Sequence, residues 1–68
     1  MMKPHEQRVV AEKVDLDTKI RNLEIFIASY ELFSKVPEAE QGRLRIQLTI
    51  MRCYSGILGD RIAAFPRG

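Results

Sequence analysis

An all-α fold, specifically a two-helix antiparallel hairpin, is predicted for this 68-residue chain. Three observations carry the prediction. Apolar residues recur at steps of three and four through two long segments, which is the period of a helix face. The prolines lie at the edges of those segments, at Pro4, Pro37 and Pro66. No stretch shows the strict apolar–polar alternation of a half-buried strand.

The first helix is expected over residues 5–29, after a tail that ends at Pro4. Its seam runs Val9, Leu16, Ile20, Leu23, Ile27 and Tyr30, with Lys13 filling the slot between Val9 and Leu16. At 1.5 Å per residue this helix spans about 40 Å. Residues 30–36 form a connector, with Leu32 and Phe33 tucked under the bend. Pro37 suits the first turn of the second helix, and Glu38 and Glu40 favour its positive N-terminus. That helix is expected over residues 37–64 and is stopped by Pro66 and Gly68. The tail covers residues 65–68, and residues 1–68 make one domain.

The second helix carries more apolar surface than a hairpin can use. Leu44, Leu48, Met51, Tyr54, Leu58, Ile62 and Phe65 share one face. Ile46, Ile50, Cys53 and Ile57 form a separate stripe, turned well away by the helical step. One stripe can pack on helix one, and long apolar strips rarely stay in water. A chain this short buries only about 60% of its unfolded surface. A helical homo-oligomer is therefore expected, with Ile46, Ile50, Cys53 and Ile57 at its interface. Ser55, Gly59 and Ala63 stand four apart, near Gly56. They mark either a smooth groove that another helix or a ligand approaches, or a kink near Gly56.

Composition narrows the function. The chain has 11 basic and 9 acidic residues, for a net charge of +2, and is 46% hydrophobic. The charges are mixed, with spacings such as Asp15–Lys19 and Asp17–Arg21 that suit helix-surface pairs. A nucleic-acid polymer binder would show a basic stripe instead. One cysteine and one histidine cannot build a disulfide or a structural zinc site, so no metal and no cofactor are expected. No run reaches the roughly 18 apolar residues of a membrane span. A lone thiol and the lack of a signal-peptide pattern predict a reducing cytoplasm. No nucleophile, metal-hydrolase or phosphate-loop motif occurs. The carboxylates Glu6, Glu12, Asp15, Asp17 and Glu24 are scattered beside basic neighbours, as solvated surface groups would be. An enzyme is not expected.

Several cations lie near apolar stripes. Lys13 occupies a seam position, where it can lay its methylenes along the seam and reach water with its ammonium. Arg21 shares a weaker stripe of helix one with Val10, Val14, Thr18 and Ile25, and can pair with Asp17. Arg43 and Arg61 project between the two faces of helix two. In a symmetric assembly, copies of one such cation meet around an axis and can hold a small anion. Arg21, Lys13, Arg8 and Arg61 are the candidate ligand residues, because an arginine fork grips phosphate bidentately. Another use of the Ile46, Ile50 and Ile57 stripe is docking on another protein, as in helix-in-groove recognition.

The run "PEAEQGRLRIQLTIMRCYSGILGDRIAAF" resembles small accessory proteins of phages and prophages. Their first helix is matched by Arg8, Val9, Glu12, Leu16, Lys19, Ile20, Leu23, Phe26 and Ile27. Their second is matched by Glu40, Arg43, Leu44, Gln47, Leu48, Met51, Tyr54, Ser55, Ile57, Leu58, Arg61 and Ile62. The resemblance covers roughly residues 5–65. The hairpin is also similar to that of phage sponge proteins that blunt CBASS and Thoeris immunity by sequestering cyclic nucleotides or cyclic ADP-ribose signals. Ile20–Arg21 and Arg61–Ile62–Ala63 carry that likeness, which implies phosphate contact by Arg21 and a second pocket at Arg61. The sponges stack a base on an aromatic near the start of the first helix, and here no aromatic precedes Phe26. The resemblance implies a non-enzymatic counter-defence protein in an infected bacterial host.

Overall fold

The computed structural model describes residues 2–66, and the expected stop at Gly68 lies outside them. Three helices follow one another: α1 over Pro4–Ala28, a single turn α2 over Tyr30–Phe33, and α3 over Glu38–Ala63. No strand occurs among the described residues. The long helices pack antiparallel into a rod of 51 × 15 × 14 Å. The all-helical class and the hairpin are as expected, and the boundaries differ in instructive ways.

Pro4 is the first residue of α1 rather than the end of a tail. Its missing N–H is one that a helix start leaves unpaired in any case. Glu6 Oε1 accepts from the Lys3 backbone N–H at 2.8 Å, which ties down the entering chain. At the other end Ser29 is extended (φ −81°, ψ 103°) and breaks the helix one residue early. Its Oγ accepts from Leu32 N–H at 3.4 Å and starts α2. The connector therefore holds a helical turn, and this turn redirects two residues. Tyr30, placed in the seam by spacing, is 85% exposed because the helical phase is lost at Ser29. Only Phe33 is tucked under the bend, whereas Leu32 is exposed. Neighbours in one helical turn point about 100° apart, so a single turn can bury only one of them.

Phe33 packs edge-on against Phe26, with centroids 5.9 Å apart. The Arg45 guanidinium lies over its ring at 4.8 Å. Gln41 Nε2 donates to the carbonyls of Phe33 and Val36 at 2.9 Å each, stapling the connector to the first turns of α3. Pro37 sits just before α3, at its N-cap, instead of within its first turn.

The core is one seam deep. Val9, Ile20, Phe33, Leu48 and Leu58 are buried. Leu16, Leu23, Ile27, Leu44, Met51 and Ile62 are half-buried around them. Leu58 is completely enclosed. The helix α3 continues through Gly56 and Gly59 without a break, which removes the kink near Gly56. The close approach at Gly59 comes from within the chain: a Cβ there would meet Lys13 Cε at 3.5 Å.

Truncating the one fully enclosed side chain, Leu58→Ala, is expected to destabilise the hairpin by about 2–5 kcal/mol. Gly59→Ala is expected to stabilise it by about 0.5–1 kcal/mol, because the added methyl finds an ordinary contact and improves helix propensity. Urea unfolding followed by circular dichroism reads both.

Candidate functional site

The lysine in the seam is explained by Ser55. This serine sits in the middle of the buried face of α3 and is only 7% exposed. A buried hydroxyl needs partners, and α1 supplies two. Lys13 Nζ donates to Ser55 Oγ at 2.7 Å, and Ser55 Oγ donates to Asp17 Oδ1 at 2.5 Å. Lys13 Nζ closes the triangle on Asp17 Oδ2 at 3.1 Å. The lysine stem lies against Gly59, so the small residues at 55 and 59 form the channel it occupies. Both bonds from Ser55 and Lys13 favour the charged carboxylate, and they hold Asp17 below its ordinary value of 3.8.

Three other carboxylates of α1 are also engaged. Glu6 is buried at the start of α1. Tyr54 donates to Glu12 across the hairpin. Arg52 donates to Glu24 Oε2 through Nη2 at 2.5 Å and Nε at 3.2 Å. The expectation of surface carboxylates fails for Glu6, which is buried at the helix start, whereas Glu12, Asp17 and Glu24 keep outer positions and each also reaches a partner on α3. The expected Asp15–Lys19 and Asp17–Arg21 pairs are not among the ion pairs of the described residues. Asp17 is taken by Lys13, and the pairs formed are Lys13–Asp17, Glu40–Arg43 and Glu24–Arg52.

The four candidate cations separate into three places. The Lys13 ammonium is committed to Ser55 and Asp17. Arg21 is exposed, and it lines an open groove of about 360 Å³ with Val14, Asp17 and Thr18. Because Asp17 is held elsewhere, Arg21 makes no ion pair among the described residues. Arg8 and Arg61 are both exposed and lie at the end of the rod remote from the bend. Along α1, Arg8 is about 20 Å from Arg21, so one small ligand cannot touch both within a single chain.

Sequence reasoning missed Ser55 as the partner of Lys13. The signal was present, since the two positions stand at nearly equal distances on either side of the bend. A second groove, of about 390 Å³, opens beside Phe33 and is lined by Ile27, Tyr30, Gln41 and Arg45 among others. Its arginine is in place over the Phe33 ring.

No group of three or more His, Cys, Asp or Glu side chains able to hold a metal occurs among the described residues. No described helix is long and apolar enough to cross a membrane. Outward-facing apolar stripes and an exposed arginine in a shallow groove mark the surface of this small helical-hairpin protein. A family model described as Sequestin matches residues 3–64, and the chain belongs to that family. No curated protein and no solved structure matches the chain.

The Asp17 contacts make a signed prediction. A carboxylate held below its ordinary value contributes stability that is present above that value and is lost as pH falls through its folded value. The stability lead of wild type over Asp17→Asn is therefore expected to be constant from pH 7 to about pH 5. It should shrink progressively as the pH drops through and below 3.8. Urea midpoints taken from pH 7 to pH 2 measure it.

Proposed function

We propose that this chain is a non-enzymatic sequestering protein, encoded by a phage, that binds a small anionic nucleotide messenger at the interfaces of a homo-oligomer in the bacterial cytoplasm. The family description supports sequestration as the mode of action. The observation that carries the anionic ligand is Arg21, an unpaired guanidinium set between Val14 and Ile25 over an open groove. Val14 and Ile25 are large apolar residues left mostly in solvent. An apolar floor beside a planar cation suits a ligand with a flat base and a phosphate. Symmetry then adds charge, because each copy brings the same arginine.

The residue roles follow the geometry. Arg21 grips phosphate. Lys13 acts through Asp17, pairing with that carboxylate so that its charge at the edge of the groove is offset. Arg8 and Arg61 form a separate cationic end that serves a second pocket. Cyclic oligonucleotides and cyclic ADP-ribose isomers are the ligand class.

A second reading rests on the outer face of α3, where Ile46, Ile50 and Ile57 are 62%, 62% and 55% exposed. In that reading these residues dock on a host or phage protein. An Ile50→Asp variant that recovers the same proteins as wild type from bacterial lysate removes it.

Calorimetry of the pure protein against cyclic di- and trinucleotides and cyclic ADP-ribose isomers, at low salt, tests the main reading. At least one ligand is expected to bind, with affinity falling tenfold or more in Arg21→Ala. Absence of binding across the panel overturns the reading.

A further inference from the structure

We propose that the groove at the bend is a second binding site, separate from that of Arg21, for a flat aromatic ring that carries a phosphate. Every group it uses comes from a single chain. The site therefore stands whether or not copies associate, and whether or not Arg21 holds a ligand.

The groove encloses about 390 Å³, within the roughly 300–1,000 Å³ of small-molecule sites. Arg45 lines it and no acidic side chain does. Arg45 also takes no part in the ion pairs of the described residues. The Arg21 groove, by contrast, has Asp17 on its own wall, and that carboxylate is held in its charged form. A cation with no opposing charge makes the bend the better suited of the two for an anion.

This cation is held in place. Its guanidinium carbon lies 4.8 Å from the centre of the Phe33 ring, a cation–π contact. Phe33 is only 5% exposed and is braced edge-on by Phe26. One face of the guanidinium is thus spent on a fixed ring, while the residue as a whole remains exposed. Its N–H edge stays free for a two-point grip on phosphate. Because the arginine is already placed, little side-chain freedom is lost on binding.

Tyr30 supplies the surface for the ring. It is 85% exposed and lines the same groove. The extended Ser29 turns it out of the α1–α3 seam. An aromatic left in water beside a fixed cation offers a face on which any flat heterocycle can stack. Gln41 completes the wall. Its Nε2 is spent on the carbonyls of Phe33 and Val36, so its Oε1 remains an acceptor. The same staple holds the connector that carries Tyr30 to the helix that carries Arg45.

Adenosine monophosphate is the probe, titrated into the full chain at low salt and followed by amide chemical shifts. Saturable shifts are expected among residues 27–34 and 41–45. Adenosine and inorganic phosphate, each carrying half of the ligand, are expected to bind about tenfold more weakly or worse. Tyr30→Ala alters an exposed side chain and spares the fold. That variant and Arg45→Gln are each expected to weaken the monophosphate about tenfold or more, with helicity unchanged by circular dichroism. Arg21→Ala is expected to leave the shifts at the bend as they are. Shifts confined to residues 14–21, or no saturable shift at all, overturn the site. So does adenosine or phosphate binding as tightly as the monophosphate, or a Tyr30→Ala or Arg45→Gln chain that binds like wild type. None of these results decides the Arg21 reading, which the cyclic ligands test.

Discussion

Two helices side by side can shelter only one stripe each, and most of what this molecule presents to solvent follows from that constraint. The seam from Val9 through Leu58 to the bend consumes one face of α1 and one of α3. Everything apolar beyond it stays outside: Val14 and Ile25 on α1, and Ile46, Ile50 and Ile57 on α3. A larger domain would cover these strips with a third layer. Here the two long helices leave both strips exposed, and a contact made through the α3 strip would leave the α1 strip and its arginine open.

The polar groups at the seam show how a thin core is given a single register. Exposed ion pairs add little stability, about 0.2–1 kcal/mol each, and Glu24–Arg52 belongs in that range. The Lys13–Ser55–Asp17 triangle differs because its central hydroxyl is buried. Sliding one helix along the other would leave that hydroxyl without partners, a loss of about 1–3 kcal/mol. The penalty falls on wrong registers, so the triangle selects among packings more than it strengthens the right one.

The sequence made the long helices, the bend at Phe33 and the two-striped second helix legible, since each depends on local spacing. It also flagged Lys13 as out of place. Tyr30 was misjudged because one extended residue, Ser29, resets the helical phase, and nothing in the apolar period announces such a break. Leu32 was misjudged because the connector is itself one helical turn. The partners of the carboxylates were missed for another reason. Glu12, Asp17 and Glu24 owe their partners to residues 28 to 42 positions away, and surface spacing along one helix carries no information about the other. Arg21 was visible as a candidate from its stripe. What freed it, the capture of Asp17 by Ser55, belongs to tertiary structure.

The glycine at position 59 has a wider consequence. The lysine stem lies against it, 3.5 Å from where a Cβ would stand and one residue along from the fully enclosed Leu58. A charged side chain, tethered at its tip by one hydroxyl and one carboxylate, thus runs beside the most tightly packed carbon atoms of the molecule.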